Sequence, residues 1–159
     1  MARPNSVSMA RNRFEVREAV IPAYMGLIKQ CDDELGRLMK YLQDTGRLDD
    51  TMVVLTSDHG ESLLDHGLAD HGYLYDDNLI VPLVIALPNG AGHGRRVPQQ
   101  VRLVDVAPTL LELAGMMVPP GMDGASLLPL TAGVEEPQPR VAWSYAGSTN
   151  YGISLRMDR

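Results

Sequence analysis

Cysteine occurs once, at Cys31. No internal disulfide can form, and a single thiol leaves the redox compartment undecided. Aromatic residues are nearly as scarce, at 5% of the chain with one Trp143 and one Phe14, so a core must rest on aliphatic side chains and methionine. Basic charge is in short supply: 14 Lys and Arg against 20 Asp and Glu give a net charge of −6. That balance argues against a nucleic-acid surface or a polybasic membrane patch as partner. No apolar run approaches the roughly 20 residues that a membrane-spanning helix needs. The opening stretch, MARPNSVSMARNRFEVRE, is basic but has no apolar segment behind it. No secretory signal is read there, and the cytoplasm is the default compartment.

What is present is ordinary for a globular domain, with 45% apolar and 21% charged residues over 159 positions. Residues 1–14 form a polar lead-in. From Ala23 to Asp44 the apolar residues Tyr24, Leu27, Ile28, Cys31, Leu35, Leu38 and Leu42 recur at three- and four-residue steps, which predicts an amphipathic helix burying one stripe. Cys31 lies on that stripe and reads as a small packed hydrophobe. Pro22 suits the first turn or a joint with a shorter helix, and Gly46 supplies the stop.

TMVVLTS (51–57) is a β-branched apolar run that reads as a strand covered on both faces, as in a parallel sheet. LIVPLVIALP (79–88) reads as a second strand, with Pro82 pushing its first half toward an edge or a bulge. VRLVDVAPTLLELAG (101–115) predicts a brief strand and then a helix capped by Asp105 and ended by Gly115. Two further strands, RVAWSYAG and YGISLRMDR, close the chain. Alternating helices and buried strands imply a three-layer α/β arrangement, of which only a part is visible.

Three of the four histidines crowd into residues 53–72, VVLTSDHGESLLDHGLADHG. Asp58 and His59 fall at the carboxyl end of the first strand, the edge where open α/β sheets bind ligands. A carboxylate beside an imidazole offers a hard oxygen and a borderline nitrogen to a divalent cation. Gly60 lets the backbone turn and approach a ligand closely. Two arrangements compete. One is a zinc site of His59, His66 and His71. The other joins a cation on Asp58 and His59 to a later cationic side chain that meets an anionic substrate. Glu61, Asp65, Asp70, Asp76 and Asp77 read as surface or capping acids, and His93 as a solvated loop residue.

YMGLIKQCDDELGRLMKYLQDTGRLDDTMVVLTSDHGE, then HGYLYDDNLIVPLVIALP, VRLVDVAPTLLELAG and MDGASLLPLTAG, occur in that order. In this series the chain resembles the sulfatase family of the alkaline-phosphatase-like superfamily, over about residues 15–159. VIPAYMGLIKQ leans toward the branch of phosphonate monoester hydrolases and related arylsulfatases. The resemblance implies a partial alkaline-phosphatase-like three-layer sandwich, a mixed and largely parallel sheet between helices. It also implies a division into a catalytic-domain part (15–135) and the start of a small C-terminal sheet (136–159). It places a divalent metal on Asp58 and His59: calcium most often, with manganese or zinc as alternatives. It gives His71 the catalytic and substrate-binding contact with the sulfate or phosphate. The substrate it implies is a small-molecule sulfate ester or a phosphonate or phosphate monoester.

The departures bear equally on function. Family members attack with a formylglycine made from a C/S-x-P-S-R motif, which these 159 residues do not contain. Cys31 is followed by Asp32, Asp33 and Glu34, and Ser62 by Leu63, Leu64 and Asp65. The paired aspartates that complete the family's metal site have no counterpart. The expectation is a C-terminal sulfatase fragment, inactive alone, from a truncated gene, a mis-assigned start or a split reading frame. The alternative is a non-catalytic metal-binding remnant. Either form would leave a sheet face uncovered and open to self-association.

Overall fold

The structure is a computed structural model, and it describes residues 14–134, 136, 138–146 and 152–157. The chain divides into two compact units, one ending at Asn89 and the other beginning at Gly90. The expected polar lead-in lies almost wholly outside the described residues.

The first unit opens with one turn of π-helix, Val16–Val20, which joins α1, Ile21–Asp44. Pro22 sits in the first turn of α1, where a missing N–H costs nothing. The helix ends in a Schellman motif. Gly46 adopts φ +66, its N–H donates to the Gln43 carbonyl, and the Arg47 N–H donates to that of Leu42.

The expected burial of the apolar stripe is not found. No residue of α1 is buried, Leu27, Ile28, Leu38 and Tyr41 are half or more exposed, and Cys31 is exposed rather than packed. Periodicity positions a stripe, but only an opposing surface buries it. The polar face is laced with i,i+4 and i,i+3 ion pairs, Lys29–Asp33, Arg37–Glu34 and Lys40–Asp44, each contributing a few tenths of a kcal/mol.

Strand β1, Val53–Thr56, pairs with β4, Leu83–Ala86, in the register Val53↔Ala86 to Thr56↔Leu83. The pairing is antiparallel, and Leu55 and Val84 stay exposed. The sequence reading of β1 as a parallel strand covered on both faces is therefore corrected. A continuous apolar run reports a tendency to be buried and carries no information on strand direction. Between these strands lie the two-residue ladder β2, Ser62–Leu63, with β3, Ala69–Asp70, and a single helical turn, α2, Asp76–Leu79.

In the second unit the predicted strand before the helix is a 3-10 turn, Leu103–Asp105, running into α3, Val106–Leu113. Asp105 does not cap this helix with its side chain. Its fully buried carboxylate instead accepts from the Arg102 N–H and guanidinium, from the Ala125 N–H and from Arg140, at 2.8–3.0 Å. Arg140 also donates to the Ala125 and Ser126 carbonyls and pairs with Glu136. Thr109 donates to the Asp105 carbonyl and accepts the Leu127 N–H. That tie packs α4, Leu128–Ala132, with buried Leu127 and Leu130.

Gly124 is required by close approach, since a Cβ there would overlap the Val104 carbonyl. Strands β5, Ala142–Ala146, and β6, Gly152–Arg156, form an antiparallel pair. Its cross-strand pairs Trp143↔Leu155 and Tyr145↔Ile153 are mostly exposed. Among the described residues every strand pairing is antiparallel.

Candidate functional site

The site is built on the segment leaving β1. Ser57 donates to the His59 carbonyl at 2.7 Å, and the His59 N–H donates to Asp58 Oδ1 at 3.0 Å. This local turn aims the Asp58 carboxylate outward, 87% exposed, with Oδ2 3.8 Å from His59 Nε2. The next residue pins the turn. The Gly60 N–H donates to the Asn78 carbonyl at 2.9 Å, and a Cβ on Gly60 would overlap the Asp77 carbonyl.

The chain then reverses. Ser62 pairs with Asp70 and Leu63 with Ala69, across a turn in which Leu64, His66 and Gly67 all take positive φ. Beneath it Ser62, wholly buried, donates to Asp77 and accepts from the Asn78 amide at 2.6 Å. The Asn78 side-chain oxygen accepts the Gly72 N–H. Both ends of the reversal are thus fastened to α2.

The reversal brings His71 back beside His59. Their rings stack with centroids 4.4 Å apart and planes at 23°. His71 Nδ1 lies 3.0 Å from Glu61 Oε2, and the His71 N–H donates to Asp70 Oδ1. His59 Nδ1 lies 2.8 Å from the Gly60 carbonyl. A carbonyl only accepts, so Nδ1 carries the proton and Nε2 keeps its lone pair.

That carbonyl raises the His59 pKa above its ordinary value, partly offset by burial and helped by the Asp58 and Glu61 charges. The His59 N–H, followed by Asp58's own, holds the Asp58 carboxyl below the usual range. When His59 is neutral, the pair offers one ionised oxygen and one open ring nitrogen 3.8 Å apart, both exposed to solvent. Hard cations take six or more oxygen ligands, so the pair fits part of such a site.

Asp58, His59 and His71 thus share one edge of the loop. His66 does not join them; its ring stacks on Tyr75 at 3.9 Å. The zinc arrangement through His66 is not what the structure brings together. His93 is exposed, as expected.

Two acids read as surface or capping groups are otherwise placed. Glu61 completes a close group with His59 and His71, and one oxygen of Asp77 is buried without a partner. The spacing of Glu61, two residues after His59, was the available signal.

The sulfatase family model matches residues 4–116. The chain belongs to the sulfatase family. Its relatives include the multifunctional alkaline phosphatase superfamily protein PehA of Trinickia caryophylli, 42% identical over 69% of this chain and 21% of that protein. Another is the N-acetylglucosamine-6-O-sulfatase of Bacteroides thetaiotaomicron, 38% identical over 67% of this chain and 19% of that one. Among solved structures, the phosphonate monoester hydrolase of Agrobacterium radiobacter superposes with TM-score 0.69 at 36% identity, over 76% of this chain and 24% of that enzyme. The fold is therefore that of the alkaline-phosphatase-like α/β proteins. The chain spans about a fifth of the length of the curated relatives.

Proposed function

We propose that this sulfatase-family chain carries one wall of the active site of a hydrolase for sulfate esters or phosphonate and phosphate monoesters. Asp58 and His59 hold a divalent cation on that wall, calcium in the first place, and His71 contacts the substrate anion. The observation that supports this is the return of His71 to a stacked position 4.4 Å from His59. The names of the relatives, sulfatase and phosphonate monoester hydrolase, support the substrate class.

A bound cation neutralises substrate oxygens as charge develops on them. The chain's own residues do the positioning. Gly60 and Asn78 fix the loop base, Asp70 and Glu61 orient His71, and the Gly60 carbonyl fixes the His59 tautomer. The two histidines divide the work, since a ligand imidazole must be neutral whereas an anion contact works best protonated.

These 159 residues contain no C/S-x-P-S-R nucleophile motif. The covalent route that splits the reaction into two easier steps is closed to them alone. The second reading is a metal-binding remnant. An in-frame motif upstream of Met1 in the genome supports the enzyme; its absence supports the remnant.

The residue roles are tested in a full-length enzyme containing this segment. His71→Ala lowers kcat/KM for an aryl sulfate or phosphonate monoester by at least about a hundredfold, as expected for a positioned proton or charge donor. His71→Lys retains activity and carries it to higher pH, while His66→Ala stays within a few-fold. A silent His71→Ala with a damaging His66→Ala overturns the assignment.

A further inference from the structure

We infer that His59, Glu61 and His71 together form a binding site for a zinc-type divalent ion, complete within the segment 59–71 of this chain. The site shares His59 with the hydrolase reading but does not use Asp58. It gives a ligand role to Glu61, which that reading employs only to orient His71.

The donor set is the first argument. Two imidazoles and one carboxylate, with a fourth position open to solvent, make a ligand field that suits zinc and its neighbours over calcium or magnesium. Geometry is the second. One donor atom from each residue lies within 4.8 Å of the others. Zinc bonds of about 2.0–2.2 Å in a tetrahedron set ligands about 3.3 Å apart. His71 Nδ1 and Glu61 Oε2 are already 3.0 Å apart. The remaining closure falls to the side chains of His59 and His71, which are 47% and 53% exposed and have room to swing.

Preorganisation is the third argument. The hydrogen bond from His59 Nδ1 to the Gly60 carbonyl presents Nε2 as the ligand atom, the outer contact that metal-bound histidines commonly make. The backbone carrying all three residues is tied down by the Gly60–Asn78 bond, the Ser62↔Asp70 pairing and the buried Ser62–Asp77–Asn78 contacts. On binding, the ion replaces the proton between His71 Nδ1 and Glu61. The neutral His71 ring then carries its one proton on Nε2, so that Nδ1 and the Glu61 carboxylate both turn lone pairs to the metal. An ion held there occupies the two histidines that the hydrolase reading needs, so zinc excludes the hard cation and the anionic substrate.

The test uses the untagged 159-residue chain at neutral pH, titrated calorimetrically with zinc and optically with cobalt(II), whose visible bands report tetrahedral coordination. The expected result is one zinc per chain, with affinity reduced at least about tenfold by His59→Ala, Glu61→Gln or His71→Ala, the scale of losing even an outer contact. His66→Ala leaves zinc affinity within about twofold of the parent chain, and Asp58→Ala, which removes only a neighbouring charge, costs less than any of the three ligand changes. Circular dichroism confirms that each variant keeps the parent fold. A parallel calcium titration reads the Asp58-dependent site separately, so failure of the hydrolase reading leaves the zinc result standing. Absence of zinc uptake by the folded chain overturns the inference. So does uptake abolished by Asp58→Ala yet indifferent to Glu61→Gln.

Discussion

Two polar networks organise this molecule, and they are opposites. In the second unit Asp105 and Arg140 have side chains 0% and 6% exposed, and every strong donor and acceptor around them is matched. In the first unit the segment 57–72 leaves Asp58, His59 and His71 open to solvent, with donor atoms turned outward. A charge cluster that is buried and satisfied serves the fold, because nothing further can bind without displacing a partner. One that is exposed but held on a fastened backbone is available to a ligand. Charge count alone does not separate the two cases; satisfaction does.

The largest effect that distinguishes them is truncation. Asp105→Ala leaves the buried Arg140 and Arg102 without their shared counter-ion, and breaking a buried pair from one side costs about 3–5 kcal/mol. Asp58→Ala removes a side chain in solvent and leaves the unfolding midpoint unchanged while abolishing the calcium response. Urea unfolding followed by Trp143 fluorescence for the second unit, and by amide hydrogen exchange for the first, checks both. An Asp58→Ala chain as unstable as Asp105→Ala would erase the distinction.

A smaller and symmetrical effect comes from the two crossing glycines. Gly60 meets the Asp77 carbonyl and Gly124 the Val104 carbonyl so closely that no Cβ fits either place. Each Gly→Ala change forces a backbone shift costing about 1–3 kcal/mol. The consequences separate by region. Gly60→Ala should abolish zinc binding with little change at Trp143, and Gly124→Ala should shift the Trp143 transition and leave the metal response intact. Amide hydrogen exchange assigns each loss to its unit.

The networks also answer pH differently: the buried one on the acid side, the exposed one on both sides, since its Asp58 is held low while its His59 is raised. Burial pushes the Asp105 carboxyl up, but Arg102, the Ala125 N–H and Arg140 hold it net below its ordinary value. Glu136 is held down chiefly by Arg140. Folded values below the unfolded ones mean stability fully present above about pH 4–4.5 and lost as pH falls through the folded values. His59 is raised by the Gly60 carbonyl. Its contribution is present below about pH 6.5 and lost as pH rises through the folded value. Acid unfolding should therefore report at Trp143, and alkaline loosening at the His59 ring proton in NMR. The acid effect is milder than truncation, since a neutral carboxyl keeps most of its hydrogen bonds. A Trp143 signal lost on the alkaline side would contradict this.

Parts of each network were legible in the sequence, for different reasons. Asp58, His59 and His71 stand out because three histidines after an apolar run are chemically conspicuous. Glu61 and Asp77 do not, since an acid on a turn reads the same whether it caps, solvates or ligates. Asp105 precedes a helix, the usual place for a cap, and its actual partner Arg140 is remote in sequence, where no local pattern points. The two hairpin strands and the Gly46 stop follow from local rules and are found. The direction of β1 and the burial of the α1 stripe depend on what lies alongside them, which a local pattern cannot specify.

Backbone strain gives the last and smallest contrast. All described non-glycine residues with positive φ fall within the first unit: Leu64 at +81, His66 at +54 and Asn89 at +56. Leu64 opens the reversal that returns His71 to His59, its N–H donating to the Leu68 carbonyl and its own carbonyl accepting from Gly67. A left-handed conformation costs a β-carbon-bearing residue about 1–2 kcal/mol. Replacing it by glycine removes that strain but returns about 0.4–1 kcal/mol through a freer unfolded chain. Leu64→Gly should therefore stabilise the first unit by between about 0 and about 1.6 kcal/mol, the difference of these terms. The second unit, which stores no such strain in its described non-glycine residues, should not respond. Exchange rates of the Gly67 and Leu68 amides, set beside those of α3, provide the measurement. Slower exchange in the loop alone confirms that strain is held where ligands are offered. Marked destabilisation would mean that the half-buried Leu64 side chain packs well enough to outweigh its backbone, and strain would then no longer distinguish the two regions.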